Sequence, residues 1–136
     1  MKLSTTKDLE SLRPVLKDLN SLGPDPVYWV FSGVPQDRWA NMTMIVPGKL
    51  GTEYPKTFGH YHGAHVNETY HVIWGEGTLL MQKKHLEDGK WIPEMVDEVL
   101  LVKAKAGDRV VITPEYGHSW SNMGKGLLIF FDNWRE

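Results

Sequence analysis

The sequence contains no cysteine. Disulfides and thiolate ligands are excluded, so any metal here takes nitrogen and oxygen donors. An excess of positive charge is missing too: 15 Lys and Arg stand against 17 Asp and Glu, a net charge of −2, with a pI near 6.3. That balance carries no basic footprint for nucleic acid and no polybasic patch for a membrane surface. Long apolar runs are absent. Gly126-Leu127-Leu128-Ile129-Phe130-Phe131 is among the longest and is far too short to cross a bilayer. Met1 to Asp8 lacks the apolar core of a signal peptide, and a cytoplasmic location is the resulting expectation. Internal repeats and low-complexity tracts are lacking.

What is present is ordinary in amount and uneven in placement. The 136 residues, 41% hydrophobic and 24% charged, suit one globular domain with a single core. Four of the 6 histidines fall between positions 60 and 71, and 6 tryptophans imply a large apolar interior or a ring-lined pocket.

Residues 5 to 20 predict helix. Thr5 or Thr6 can cap, Asp8 and Glu10 suit a first turn, and Leu9, Leu12, Val15, Leu16 and Leu19 form an apolar stripe. Pro14 splits the stretch in two. After the breaker cluster Ser21 to Pro26 the pattern turns to strands: Val27–Phe31, Asn41–Val46, Lys56–Tyr61, Thr69–Trp74, Gly77–Gln82, Glu98–Lys103, Asp108–Thr113, Ser119–Asn122 and Gly126–Asp132. Trp74-Gly75-Glu76-Gly77 reads as a tight hairpin, and Glu87-Asp88-Gly89-Lys90 as a second turn. Many short strands after a helical start predict an all-β sandwich or barrel. The expected organisation is a single domain over 1–136, with a helical segment at 1–22 and the barrel at 27–132.

The chemistry gathers at Gly59-His60-Tyr61-His62 and Glu68-Thr69-Tyr70. On an extended chain, residues i and i+2 share a face. His60 and His62 then lie side by side, as do Glu68 and Tyr70. His118, in a later strand, supplies a fourth donor. Three imidazoles and a carboxylate suit a first-row divalent cation with positions left for substrate. Tyr70 offers either a hydroxyl beside that ion or core packing. His65 falls in a loop, His71 alternates away from the site, and His85 follows a polar connection.

These residues carry a resemblance. His60-Tyr61-His62…Glu68…Gly75 resembles the first cupin motif, and Gly107…Pro114…His118…Asn122 the second. Pro47-Gly48-Lys49-Leu50-Gly51-Thr52-Glu53, ahead of Gly59-His60-Tyr61-His62, is similar to the cupin-type glucose-6-phosphate isomerases of archaea and some bacteria. The similarity runs from about Val27 to about Phe131. It implies a cupin jelly-roll (double-stranded β-helix) barrel holding one divalent metal ion (Fe, Mn, Ni or Zn) on His60, His62, Glu68 and His118. It also implies sugar-phosphate contacts at Tyr28, Thr43, Thr57, Gly59 and Tyr70, catalysis through Glu68 and Tyr70, and a homodimer. The implied reaction interconverts glucose 6-phosphate and fructose 6-phosphate. Another metal-dependent cupin enzyme (oxygenase, decarboxylase or epimerase) and a non-catalytic sugar-phosphate-binding cupin are the alternatives. Family members continue past the last strand with a Tyr and a His that reach the substrate. Here the sequence stops at Glu136, so two contacts are expected to be missing, and Trp134 or Arg135 is the candidate substitute.

Overall fold

The fold comes from a computed structural model that describes residues 1–36, 38–63 and 65–135. Nine strands follow in order: β1 Lys2–Lys7, β2 Tyr28–Ser32, β3 Asn41–Ile45, β4 Glu68–Trp74, β5 Glu76–Glu87, β6 Lys90–Lys105, β7 Arg109–Ile112, β8 Tyr116–Asn122 and β9 Leu128–Asp132. They form a six-stranded sheet, β1-β2-β3-β9-β4-β7, and a three-stranded sheet, β6-β5-β8, with antiparallel pairing throughout.

Alternation builds the interior. In β4 the buried positions are Glu68, Tyr70 and Val72; in β9 they are Leu128, Phe130 and Asp132. The register stacks these into levels. Asn41, Asp132 and Tyr70 lie opposite one another; so do Thr43, Phe130 and Val72, with Ile45 beside Leu128 below. The inward residues therefore change from polar to apolar down the barrel. Trp120 of β8 packs on Phe130 at 4.9 Å between ring centroids and marks the apolar middle. Asn122 closes the base: it is fully buried, with Nδ2 donating to the Ile45 and Gly126 carbonyls at 3.0 and 2.9 Å.

The start of the chain departs from expectation. Residues 2 to 7 are not the approach to a helix but a strand on the edge of the large sheet. The helix, α1, is only Leu9–Leu12, followed by a 3-10 turn at Arg13–Val15. Asp8, not Thr5 or Thr6, caps α1, accepting the Ser11 backbone N–H at 2.8 Å. Pro14 has no N–H to continue an α-helical ladder.

Two turns also differ. Gly75 does not close a hairpin: β4 belongs to the large sheet and β5 to the small one, so the turn changes sheets. Gly75 has φ +80°, and a Cβ there would sit 2.3 Å from the Leu127 carbonyl oxygen, so only glycine fits the corner. Lys56–Tyr61 is not a regular strand. It touches β8 through isolated bridges, Lys56 to Ser121 and His60 to His118. The β5–β6 hairpin is far longer than expected and turns at Asp88 and Gly89.

Candidate functional site

The polar end of the barrel opens into a cavity of about 600 Å³, which His60, His62, Glu68, Tyr70 and His118 line together with Thr43, Asp132 and Trp134. Glu68 is the first residue of β4, one alternation step above Tyr70. His118 enters from β8, and His60 and His62 from the segment bridged to it. Gly59, with φ +87°, turns that segment so that both rings face inward.

Four donor atoms converge. Nε2 of His60 is 3.3 Å from Nε2 of His62. Oε1 of Glu68 is 2.8 Å from His62 Nε2 and 3.0 Å from His118 Nε2. All four donors lie within 4.8 Å of one another. Adjacent ligands bound at roughly 2.0–2.2 Å to one cation are spaced about 2.9–3.5 Å apart. Two of the close spacings fall within that range and the third just below it, so a divalent ion fits the donor set.

Electrostatics agree with this. Burial, together with the neighbouring imidazoles, pushes His60 down to about 4, leaving a neutral ring with a free lone pair at neutral pH. Burial alone would raise Glu68, but its hydrogen bonds to His118 and His62 and their charge outweigh that and hold it below the usual range. It stays a carboxylate. Tyr70 is raised well above its ordinary value by burial and by the Glu68 and Asp132 charges; it stays a neutral phenol, 2.9 Å from His118 Nε2.

The remaining expected contacts also line the cavity, with different freedom. Thr43 is buried on its wall. The Tyr28 hydroxyl accepts the Phe58 N–H at 3.2 Å, and the Thr57 hydroxyl accepts the Trp120 N–H at 3.0 Å, so both are partly committed to the scaffold. His71 points to the outside of β4 against Trp39, 5.5 Å between ring centroids. His65 is exposed. His85 bonds Asp97 and Glu87, away from the donors, at 2.7 and 3.1 Å.

Two residues here, Asp132 and Asn41, had no expected site role, and Trp134 and Arg135 were expected only as substitute contacts. Asp132 sits on the cavity wall and is raised to about 6, mainly by burial and further by the Glu68 charge. Asn41 donates to Asp132 at 2.8 Å and to the Trp134 carbonyl at 3.0 Å, and Asp132 accepts the Trp134 N–H at 3.0 Å. This strap lays the Trp134 indole flat on His62, 3.5 Å between ring centroids and 16° between planes. Arg135 instead reaches back to the Trp39 carbonyl at 3.2 Å. Alternation along β9 was the available signal for Asp132; nothing local signalled the Trp134 stack.

Two facing antiparallel sheets with imidazoles and a carboxylate at one end define a cupin. The fold matches the cupin domain of CENP-C from Drosophila melanogaster at a TM-score of 0.53 and 14% identity, over 94% of this chain and 84% of that one. It matches a predicted oxalate decarboxylase from Thermotoga maritima at 0.53 and 18% identity, over 97% and 96%. A family model described as glucose-6-phosphate isomerase matches residues 7–135; the chain belongs to that family. It is 31% identical over 115 residues to the glucose-6-phosphate isomerase of Thermococcus onnurineus, covering 80% of this chain and 55% of the relative. With that of Thermococcus kodakarensis it shares 30% over 129 residues, covering 90% and 59%. The chain thus spans a little more than half the length of these relatives.

Proposed function

We propose that the protein is a metal-dependent aldose–ketose isomerase interconverting glucose 6-phosphate and fructose 6-phosphate. The reading rests on the four convergent donors at the mouth of a sugar-sized cavity, in a chain of this family. His60, His62, Glu68 and His118 would hold the ion; iron, manganese, nickel and zinc all suit this ligand set. When bound, the ion supplies Lewis-acid charge for the oxygens on C1 and C2 of the sugar.

The chain's own groups supply the rest. Moving hydrogen between C1 and C2 through an enediol requires a base, and Glu68 is an ionised carboxylate facing the cavity among the ligand donors. Tyr70 keeps its proton and can donate to a sugar oxygen. Thr43 and the Gly59 segment, which also line the cavity, would serve as phosphate contacts, with Thr57 and Tyr28 supporting them. The stacked Trp134 keeps water off one face of His62.

The deciding experiment is a coupled assay on fructose 6-phosphate, run on chelated protein and again after each metal is restored. Turnover that returns with metal is expected. No turnover with any of the four ions would overturn the reading. Deuterium at C2 of glucose 6-phosphate then tells a base-mediated transfer, which loses label to water, from a direct hydride shift, which keeps it.

A further inference from the structure

The β5–β6 hairpin outruns the barrel. β5 pairs with β8 only as far as Lys83, opposite Tyr116. Lys84, Leu86 and Glu87 pair with β6 alone, so the end of the hairpin is a two-stranded arm. His85 ties the two strands by bonding Asp97 across the arm. Two strands by themselves are marginal in water, and the tip of this arm leans on the segment that carries His60 and His62.

The point of contact is Tyr61, between the two histidines. Its ring lies on the outer face of the small sheet, over Gly117, while His118, the next residue of β8, points inward. A Cβ on Gly117 would come 2.7 Å from the Tyr61 ring, so a side chain there would push the ring away. Gln82 donates to the Tyr61 hydroxyl at 2.7 Å. Trp91 of the arm meets the ring edge-on, 4.9 Å between centroids and 60° between planes. Lys84 Nζ stands 5.2 Å from both rings, a cation over each. Beside these contacts a cavity of about 510 Å³ opens between segment and arm, lined by His62, Gly63 and His65 on one side and Leu86, Gly89 and Trp91 on the other. Trp91 and Lys84 therefore bridge arm and segment at the edge of that space.

We propose that the arm positions the metal-ligating segment: Trp91, with Lys84, holds Tyr61 against Gly117 and so fixes where the His60 and His62 rings point. The inference rests on the reading of the four donors as a metal site. Neither Trp91 nor Lys84 lines the donor cavity, so each acts through Tyr61. Groups outside a ligand set can orient it and change its affinity without touching the ion.

Co²⁺ is the probe, because its visible bands report both uptake and ligand geometry. Circular dichroism checks that each variant folds. Trp91→Ala should raise the Co²⁺ dissociation constant about two- to tenfold and shift the bands. Trp91→Phe, which keeps a ring on Tyr61, should restore both. In a Tyr61→Ala background, Trp91→Ala should cost nothing further, because the route through Tyr61 is gone. Hydrogen exchange on the metal-free chain gives a second readout. The His60 amide, bonded to the His118 carbonyl at 3.2 Å, should exchange faster in Trp91→Ala, while the β3 and β9 amides keep the wild-type rate. Wild-type Co²⁺ affinity, spectrum and exchange in Trp91→Ala would overturn the proposal, and so would an equal loss with and without Tyr61. A wild-type chain that takes up no Co²⁺ would overturn the metal site itself, and the proposal with it.

Discussion

At the level of single residues, the site turns on Glu68. One carboxylate oxygen faces two imidazoles, so it can hold an ion, and under the proposed isomerase reading it also serves as the base. Glu68→Gln keeps the shape and loses the charge. It should keep metal within about tenfold of wild type and lose turnover by about 100-fold or more. Elemental analysis and the coupled assay read the two effects separately, and wild-type rates would remove Glu68 from both roles. Trp134 gives a second prediction. A ring stack contributes roughly 0.5–1.5 kcal/mol, so Trp134→Ala should weaken metal binding about two- to tenfold in competition with a chelator, and Trp134→Phe should recover it. The His60–His62 pair could be read from the sequence because residues i and i+2 on extended chain share a face; Glu68 and His118 join them from separate strands, β4 and β8, and the resemblance was what assigned the four together as ligands. Asp132 could not be read, because its meaning depends on β9 lying between β3 and β4, strands distant in sequence. The stack of Trp134 on His62 is likewise set by the Asn41–Asp132 anchor and by no local pattern.

Among the elements, the strands that alternate cleanly were readable and the others were not. β3, β4, β8 and β9 each have one face in the core, which prints alternation into the sequence. Residues 83 to 97 extend the β5–β6 hairpin past the barrel, mostly exposed, so no buried face marks them as strand. β1 lies on the sheet edge with two threonines that serve equally as strand residues or helix caps. Gly75 looks like a hairpin because turn chemistry does not say which sheet the next strand will join. The joint at the other end of the barrel is more specific. The Asn122 side chain donates to the Ile45 and Gly126 carbonyls and accepts the Gly124 N–H at 3.0 Å. It ties β8, β3 and the β8–β9 turn together through a fully buried side chain. Asn122→Ala would strand these groups and should cost about 2–4 kcal/mol. A fall in urea midpoint at unchanged slope would show it; a midpoint within error of wild type would not fit a fully buried side chain making three bonds.

For the whole molecule, an ion held as proposed would relieve the cluster of donors at the polar mouth. Metal at about 100 times its dissociation constant should stabilise the fold by about 2.7 kcal/mol, on the order of 10 °C in melting temperature for a domain of this size. Thermal melts with and without chelator measure that shift, and His118→Ala should abolish it. In the chelated chain, two groups set opposite acid dependences. Asp132, raised from 3.8 to about 6, keeps its proton in the folded state after the unfolded chain has lost it. Its contribution is full below about pH 4 and is lost as pH rises through about 6. His60, lowered from 6.5 to about 4, stays neutral in the folded state while the unfolded chain binds a proton. Its contribution is full above about pH 6.5 and is lost as pH falls through about 4, although the solvent exposure of the residue softens the slope. Between about pH 4 and 6 the two trends oppose, and the wild type should change little. Asp132→Asn keeps an oxygen for Asn41 and the Trp134 N–H but removes one of the two titrations. The chelated variant should be more stable than wild type at pH 8 and should lose stability more steeply on acidification through that window. Urea midpoints at half-unit pH steps decide it: superimposable profiles would mean that Asp132 titrates alike in the folded and unfolded chain.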